Sequence, residues 1–374
     1  MGQRQSLGRS VNTVFRCLGG IITSSYRRGR GGLLFTLINQ HTRIRPARAW
    51  FFHQTRFPSF AKPKPPLSPS SPSFKSTNRW LTPRLLPCYV LRPNTGAARS
   101  MPRTFRLVSF NILEGFRPTL TSSSERRLID RDRADAARAV VAGLAPDLLV
   151  LNEALFCRQY AGKTVDYASL FDFPFQSVAL YDDAWGNAIL SRSPIINSRE
   201  MRIYNRGGLV ATIDSPAGQL SVASYHPHPG RYPENKAVDF GQLVEGLTGP
   251  VIVCGDLNCI SPEDNIDRLQ MIEAFRSFST NPAAAVDQFI ESGKQVFRTL
   301  GELGFKDAVP PAGRRYSIPT DLINRDKSSG MRIDHVLAND AIEIIAGEVV
   351  QNSGTNRASD HHPVMLEFRI RGQT

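Results

Sequence analysis

The strongest constraint on the fold is a short apolar run that ends abruptly in polar residues. It reads Val251-Ile252-Val253-Cys254-Gly255-Asp256-Leu257-Asn258. An uninterrupted apolar run bounded by a turn former is typical of a strand that is covered on both faces. Side chains alternate along an extended chain, so the pattern predicts that Asp256 and Asn258 point to the same side. A simple Asx-type turn would use the same residues, and this stretch alone leaves both interpretations open.

The same pattern recurs elsewhere and predicts a layered fold of the α/β type. Apolar runs at 105–112 and 147–153 carry Asn111 and Glu153 near their ends, and a helix is predicted between them at 125–144. A strand, a helix and a second strand in close succession favour alternating elements packed in layers. Further strands are predicted at 185–195, 209–213, 220–225, 332–337 and 364–370, and further helices at 264–279 and 282–303.

Charge divides the chain into two unequal parts. Residues 1–100 contain 17 Lys or Arg and no Asp or Glu, whereas residues 101–374 contain 29 basic and 33 acidic residues. The first part is rich in Arg and Ser and has a Pro/Ser-rich run at 62–72, which is typical of disorder. We therefore predict a disordered basic extension at 1–100 and a folded domain at 101–374.

Several interpretations of the extension stay open. An acid-free, Arg- and Ser-rich N-terminus is typical of a transit peptide, which would direct the protein to the mitochondrion or another organelle. Alternatively, translation starts at Met101 and the protein is cytoplasmic. A basic tail that binds nucleic acid is a third interpretation. The apolar run at 33–38 is too short to span a membrane.

Polar residues that suit phosphate chemistry recur where the apolar strands end. Asn and Asp favour turns, and a lone His is more often structural than catalytic, so each residue has a simple explanation by itself. The whole set is harder to explain in that way, because ligands of layered α/β proteins collect at strand ends. The set comprises Asn111, Glu153, His226, Asp256, Asn258, Asp334, Asp360 and His361.

These motifs resemble the endonuclease/exonuclease/phosphatase superfamily of metal-dependent phosphoesterases, which includes deoxyribonuclease I. The resemblance extends from about residue 104 to 370, and the joint occurrence of Gly-Asp-x-Asn and Ser-Asp-His is its most specific part. It implies a four-layer α/β/β/α sandwich with two central, mostly antiparallel sheets. The matching motifs are Ser109-Phe110-Asn111, Leu151-Asn152-Glu153, Ser224-Tyr225-His226, Gly255-Asp256-Leu257-Asn258, Ile333-Asp334-His335 and Ser359-Asp360-His361-His362-Pro363.

The resemblance also implies a role for each matched residue. Glu153 is expected to bind Mg²⁺, or Mn²⁺ as the alternative, with help from Asn111 and Asp360, since hard oxygen ligands suit these ions. The expected catalytic residues are Asp256, which orients or deprotonates water, the phosphate ligand Asn258, the catalytic His361 with its partner Asp334, and His226.

Neighbouring residues receive weaker assignments. Asn187, His228 and Arg231 are expected to face the substrate. His335 and His362 are expected to be structural, and for His335 the alternation of side chains along a strand points it away from Asp334.

The sequence therefore predicts a Mg²⁺-dependent phosphoester hydrolase in which water attacks in line, acting as a monomer without a membrane span. A deoxyribonuclease or exonuclease of the same fold is the first alternative, although the folded part is net acidic and shows no basic stripe interleaved with aromatics. A non-catalytic binding protein that retains the fold is the second. The retention of all carboxylates and histidines argues against the latter. The substrate itself is left open.

Overall fold

The structure is a computed structural model. It describes residues 12–17, 20–25, 103–118, 127–182, 184–203, 206–276, 279–323, 327–328 and 330–372. The sixteen strands in this part are β1 (Asn12–Cys17), β2 (Gly20–Ser25), β3 (Phe105–Asn111), β4 (Leu148–Leu155), β5 (Gln159–Tyr160), β6 (Lys163–Thr164), β7 (Phe175–Leu180), β8 (Trp185–Ser191), β9 (Ile195–Ile203), β10 (Arg206–Ser215), β11 (Gly218–Tyr225), β12 (Val251–Asp256), β13 (Lys306–Asp307), β14 (Asp334–Ala338), β15 (Ile342–Val349) and β16 (Val364–Ile370).

Seven α-helices accompany these strands in the described part. Each of the longer helices begins after a polar cap or with a proline in its first turn, and both features favour helix initiation. They are α1 (Leu113–Phe116), α2 (Arg131–Leu144), α3 (Tyr167–Phe171), α4 (Pro233–Val244), α5 (Arg268–Phe275), α6 (Pro282–Glu302) and α7 (Thr355–Ala358). None of the helices that the structure describes is long and apolar enough to cross a membrane.

Two six-stranded sheets form the centre of the fold. Sheet I has the strand order β13-β14-β12-β11-β10-β9, and sheet II has the order β15-β16-β3-β4-β8-β7. Each contains one parallel pair, β11 with β12 in sheet I and β3 with β4 in sheet II, and the other pairs are antiparallel. This confirms the prediction of two central, mostly antiparallel sheets.

The buried apolar residues form three layers, one between the two sheets and one on the outer face of each sheet. Between the two sheets, side chains such as Val150 and Leu366 of sheet II pack with Val222 and Ile252 of sheet I. Helix α2 covers the outer face of sheet II, and helices α4 and α6 cover the outer face of sheet I. The central strands, such as β3, β4 and β12, are therefore buried on both faces, and the predicted α/β/β/α sandwich is confirmed.

Several elements differ from the sequence-based expectation. Helix α2 begins at Arg131 rather than at residue 125, because the Asp130 side chain caps it by accepting from the Arg133 amide at 3.2 Å. The first two residues of the predicted helix, 125 and 126, lie outside the described residues. Helix α5 is shorter than 264–279, because Asp267 caps it. Helix α4, which has Pro233 in its first turn, has no counterpart among the predicted elements.

The N-terminal extension is described only in part. Strands β1 and β2 pair as an antiparallel hairpin, whereas the sequence predicts disorder throughout residues 1–100. The hairpin residues include Val14, Phe15, Ile21 and Ile22, which favour strands. The rest of the extension lies outside the described residues, so the prediction of disorder there stays a prediction.

Two glycines of helix α6 provide a test of how tightly this helix packs. A Cβ atom at Gly293 would lie 2.0 Å from the carbonyl oxygen of Ile260, whereas one at Gly301 would have nothing within 4 Å. We expect Gly293→Ala to lower the free energy of unfolding by about 1–3 kcal/mol through overpacking. Gly301→Ala should leave it unchanged or raise it by up to about 1 kcal/mol. Urea denaturation measures both, and equal effects would contradict the close packing of α6 on the loop after β12.

Candidate active site

The strand ends of the two sheets converge on one group of polar side chains. Because β3 and β4 are parallel neighbours, Asn111 and Asn152 lie side by side at one edge of sheet II. Because β11 and β12 are parallel neighbours, His226 follows β11 close to the end of β12 at Asp256. Hydrogen bonds join the edges, since the Asn111 Nδ2 atom donates to Asp256 Oδ2 at 3.1 Å. The structure therefore brings the motif residues of sheet I close to those of sheet II.

Glu153 lies in a bulge of β4. The pairing of β4 with β8 shifts between Leu151 and Ala154, and Glu153 has a positive φ of 55°. The backbone amide of Glu114 donates to Glu153 Oε2 at 3.1 Å, which fixes the carboxylate. Burial raises the pKa of Glu153, Arg206 opposes this, and the neighbouring Asp360 adds to the rise. The bulge thus holds a partly buried carboxylate, 17% exposed, where a negative charge is disfavoured unless a cation joins it.

Asp334 and His361 form the tightest ionic pair of the site. The protonated Nδ1 of His361 donates to Asp334 Oδ2 at 2.7 Å, and both side chains are buried. Burial alone would lower the pKa of His361, but Asp334 and Asp360 together raise it well above the usual value. The ring is therefore held as a cation, with its Nε2 atom 3.8 Å from Asp256 Oδ2.

His226 experiences the opposite shift. Its Nε2 atom lies 3.4 Å from Asp256 Oδ2 and 3.8 Å from Glu153 Oε1. Burial, followed by Arg206 and His361, lowers the pKa of His226 well below its usual value. The two imidazoles of the site are therefore in different protonation states, one neutral and one cationic.

Asp256 is the most connected carboxylate of the group. Its backbone amide donates to Asn152 Oδ1 at 3.0 Å, and its Oδ1 atom accepts from the Asn258 amide at 3.0 Å. Burial and the neighbouring Asp334 raise the pKa of Asp256 to about 7, against the lowering effect of His361. A carboxylate with such a pKa is basic enough to accept a proton from water near neutral pH.

Asn258 lies beyond the strand whose alternation was used to orient it. Strand β12 ends at Asp256, and Asn258 adopts a positive φ of 48°, so the alternation of an extended chain does not reach it. Its Nδ2 atom donates to the carbonyl oxygen of Pro227 at 3.0 Å, and its own carbonyl accepts from the buried Lys236 ammonium at 2.7 Å. Asn258 therefore links the loop after β12 to the loop after β11.

The three residues expected to face the substrate have different surroundings. Asn187 is fully buried, and its amide group binds Asn152 and the carbonyl of Gly207. It therefore orients Asn152, which in turn contacts Asp256. Arg231 binds Asp239 of α4 through two contacts of 2.8 and 2.9 Å. His228 is half-buried, and its Nδ1 atom accepts from the Gly230 amide at 3.0 Å. The structure thus groups His228 and Arg231 in the loop after His226, and it encloses Asn187.

Some supporting residues have no role in the sequence-based prediction. Asn152 is fully buried and binds Asp256, Asn187 and Ser224, and its only signal in the sequence is an amide inside an apolar run. Ser317 accepts from the backbone amides of Ile333 and Asp334 at 3.0 and 3.2 Å. Its loop carried no recognisable motif. These contacts orient the matched residues rather than adding chemistry.

His335 and His362 lie outside the group. His335 faces the other side of β14, where its Nε2 atom donates to the Cys259 carbonyl at 2.9 Å and its ring packs against Phe297. His362 Nδ1 lies 2.8 Å from Thr355 Oγ1, and its ring packs against Tyr316. Both surroundings agree with the expected structural roles.

The burial of His335 leads to a prediction about stability at low pH. Burial lowers the pKa of His335 to about 4 from the usual value of 6.5. The unfolded chain therefore binds a proton at a higher pH than the folded protein does, and stability falls as the pH decreases below 6.5. His335→Gln, which keeps a donor for the Cys259 carbonyl, should lose this dependence. We expect the difference between the unfolding free energies at pH 7 and pH 5 to decrease by about 2 kcal/mol. If urea denaturation of His335→Gln shows the same pH dependence as the original protein, His335 is not the source of this effect.

The described residues contain one group of close potential metal ligands. Atoms of Asp256, Asp334 and His361 all lie within 4.8 Å of one another. This trio differs from the expected ligands Asn111, Glu153 and Asp360. The closeness of Asp334 and His361 is explained by their mutual ion pair, which occupies Nδ1. Glu153 and Asp360, by contrast, form no ion pair with a lysine or arginine in the described part of the chain.

The fold and the site together define the class of the protein: a two-sheet α/β sandwich with carboxylates and imidazoles at converging strand ends. The chain belongs to the Endonuclease/Exonuclease/phosphatase family, whose model matches residues 108–361. No curated protein matched the chain.

Solved structures with the same fold have low sequence identity to this chain. An endonuclease/exonuclease/phosphatase from Beutenbergia cavernae DSM 12333 is 22% identical, with a TM-score of 0.52 and 72% of each chain covered. One from Bacteroides vulgatus is 13% identical, with a TM-score of 0.51 and coverage of 72% of this chain and 100% of that chain. An AP endonuclease from Archaeoglobus fulgidus is 15% identical, with a TM-score of 0.50 and coverage of 70% and 98%.

Proposed function

We propose that this protein is a Mg²⁺-dependent phosphoester hydrolase in which water attacks phosphorus in line, with Mn²⁺ as the alternative metal. The observation that carries the proposal is the convergence of the two imidazoles His226 and His361 with buried carboxylates from both sheets. A hydrolase for phosphate esters needs a base for water, donors for the phosphoryl oxygens and an anionic site for a divalent cation. The group supplies candidates for all three.

Glu153 is the best candidate for the principal metal ligand, with Asp360 and Asn111 holding the ion directly or through water. The partly buried Glu153 carboxylate has a raised pKa, and neither Glu153 nor Asp360 has an ion-pair partner among the lysines and arginines of the described residues. An oxygen-rich, anionic group of this kind fits Mg²⁺ better than softer metals. When bound, the metal offsets the negative charge that develops on the phosphoryl oxygens.

Asp256 and Asn258 act on the attacking water and the phosphate. We assign Asp256 as the residue that orients water and accepts its proton, because the pKa of Asp256 is raised to about 7. We also assign Asn258 as a phosphate ligand. Its Nδ2 atom donates a hydrogen bond to the Pro227 carbonyl in this structure. Binding through Nδ2 would require that hydrogen bond to be exchanged.

The two histidines take complementary roles. His361 is oriented by Asp334, which leaves the protonated Nε2 directed towards the group around Asp256. It would donate to a phosphoryl oxygen as a cation. His226, kept neutral by burial, would donate a hydrogen bond as the phosphorus becomes pentavalent. A pair of groups whose surroundings push their pKa values apart is typical of an acid–base site.

The test is hydrolysis by the full-length chain of three substrates, each with Mg²⁺ and with EDTA. The substrates are p-nitrophenyl phosphate, bis(p-nitrophenyl) phosphate and a labelled DNA oligonucleotide. We expect Mg²⁺-dependent turnover of a small phosphate ester. Cleavage of DNA alone would favour the deoxyribonuclease alternative. A well-folded chain without turnover of any phosphate ester would favour the non-catalytic binding protein and overturn the proposal.

A further inference from the structure

Lys236 is a buried lysine of α4 that the assignments above leave without a function. It is 4% exposed, and its ammonium donates to the carbonyl oxygen of Asn258 at 2.7 Å and to that of Leu257 at 3.3 Å. No carboxylate in the described part of the chain forms an ion pair with it. By contrast, Lys294 and Lys306 are exposed and pair with carboxylates. The contacts of Lys236 are therefore concentrated on the loop after β12.

The packing of α4 does not itself require a charged residue at this position. Phe240 and Leu243 of the same helix are fully buried and pack on sheet I. A buried ammonium without a carboxylate partner is costly, and burial accordingly lowers the pKa of Lys236. Methionine would fill a similar space without that cost. What the lysine adds is a pair of hydrogen bonds to two consecutive carbonyl groups.

The loop that receives these hydrogen bonds has an unusual backbone. Gly255 has a φ of 140°, and a Cβ atom there would lie 2.2 Å from the carbonyl oxygen of Tyr225. Asn258 has a φ of 48°, which is uncommon for a residue with a side chain. A residue stays in such a conformation only when its surroundings hold it there. Lys236 contributes to this by binding the carbonyl of the strained residue itself.

The conformation of Asn258 determines how the carboxylate of Asp256 is oriented. The Asn258 amide donates to Asp256 Oδ1 at 3.0 Å. The other oxygen, Oδ2, accepts from Asn111 at 3.1 Å and lies 3.4 Å from His226 Nε2. One oxygen of the carboxylate is thus fixed by the loop and the other by neighbouring strand ends. A change in the backbone at Asn258 would turn the carboxylate away from the water that it is proposed to orient.

Helix α4 is itself anchored to the end of β11. Asp239, one turn beyond Lys236, binds Arg231 through contacts of 2.8 and 2.9 Å and accepts from the hydroxyl of Tyr225. Tyr225 directly precedes His226 in the chain. The helix is therefore connected to the loop after β11 through Asp239 and to the loop after β12 through Lys236. This gives the ammonium a fixed position relative to both loops.

We propose that Lys236 is a positioning residue, which holds the loop after β12 in the conformation that orients Asp256 for its reaction with water. The inference rests on the proposed function and adds to it a residue that acts from α4 through the backbone of Asn258. Because Asp256 acts in the chemical step, a loss of Lys236 should reduce the rate of that step more than it reduces substrate binding.

Steady-state kinetics of the full-length chain with saturating Mg²⁺ gives the first measurement. With the small ester that the protein hydrolyses, Lys236→Met should lower kcat by about 10- to 100-fold, the usual effect of a small misplacement of a reacting group. KM should change by a smaller factor. Lys294→Met is the matched control, because it is the same change at an exposed position of α6. This control should keep the original kcat and KM.

Hydrogen–deuterium exchange of the full-length chain without substrate gives a second measurement that does not depend on turnover. The amide of Leu257 donates to the carbonyl of Ile333 at 2.8 Å, and that of Asn258 donates to Asp256. In Lys236→Met, peptides that contain these two amides should exchange about tenfold faster or more, because two buried carbonyl groups lose their donor. Peptides of β3 and β4 in sheet II should exchange as in the original protein, and so should every peptide of Lys294→Met.

The outcomes separate this inference from the proposed function. Unchanged exchange at residues 257–258 in folded Lys236→Met overturns the inference, and so does an unchanged kcat. Faster exchange throughout α4 and both sheets, with the original kcat for the folded protein, would assign Lys236 to general stability and also overturn it. If Lys236→Met does not fold, Lys236→Gln decides, because it removes the charge and keeps a shorter donor. We expect smaller changes in the same directions, and unchanged exchange or kcat would overturn the inference. Failure of the original protein to hydrolyse any ester concerns the proposed function alone, because the exchange measurement still tests whether Lys236 holds the loop.

Discussion

Replacing His361 with alanine is expected to lower kcat for phosphate-ester hydrolysis by about 10³-fold, within the range known for general acid–base residues. The His361 ring is held by the 2.7 Å contact with Asp334, and its Nε2 atom points towards Asp256. Its positive charge is therefore available where negative charge grows on the phosphoryl oxygens. Since such an interaction strengthens in the transition state, kcat should fall much more than KM rises.

Asp334→Asn tests the pairing directly. The amide keeps the shape of the side chain but removes the charge that raises the pKa of His361. We expect kcat to decrease by at least about 10²-fold. Combining Asp334→Asn with His361→Ala should add little to the single effect, because the two residues act as a unit. Fully additive effects would contradict the pairing.

The neighbouring histidine provides the matched control for these substitutions. His335 follows Asp334 in the chain but contacts Cys259 and Phe297 on the other side of β14. His335→Gln should therefore keep the original kcat while changing stability at low pH. Steady-state kinetics with circular dichroism as a folding check distinguishes the cases. A His361→Ala variant that is folded and fully active would exclude His361 from catalysis.

The fold was predictable from the sequence because its central strands are buried on both faces. Runs such as 251–254 are apolar without interruption, and only a layered arrangement covers both faces of such a strand. The hairpin between β10 and β11 was also predictable, since Pro216 and Gly218 mark its turn. Partly exposed elements such as β9 and β15, whose residues are mostly not buried, carry no comparable apolar pattern and were missed.

The site was predictable only as far as residue types at strand ends allow. Alternation along a strand predicted the opposite directions of Asp334 and His335. It does not extend to Asn258, because a positive φ ends the extended conformation there. The alternation of side chains along a strand also does not predict contacts between residues that are distant in the sequence. The buried Lys236, which binds the carbonyls of Leu257 and Asn258, comes from a helix that the sequence did not suggest.

Glu153→Gln is expected to raise the stability of the metal-free protein and to lower its Mg²⁺-dependent activity. Burial raises the pKa of Glu153, and Asp360 and Glu114 add to the rise. A carboxyl group with a raised pKa in the folded state weakens the metal-free protein once the pH increases above 4.5, its ordinary value. Replacing it by a neutral amide removes this effect. The metal-free variant should therefore have a higher unfolding temperature at pH 7.5 than the metal-free original protein.

Activity should change in the opposite direction. If Glu153 is the principal ligand, its replacement should raise the Mg²⁺ concentration for half-maximal activity by about 100-fold or more, since even supporting residues around a metal change affinity by 10- to 100-fold. EDTA should abolish the activity of the original protein, and added Mg²⁺ should restore it.

Thermal unfolding gives a measurement that does not depend on turnover. Mg²⁺ should raise the unfolding temperature of the original protein, because a ligand that binds only the folded state stabilises it, and this increase should disappear in Glu153→Gln. Glu302→Gln, a change of the same chemistry at an exposed position of α6, should leave both the metal response and the activity unchanged. A Glu153→Gln variant with the original metal response would move the metal site away from Glu153. The trio of Asp256, Asp334 and His361 would then be the next candidate, because its ligand atoms already lie close together.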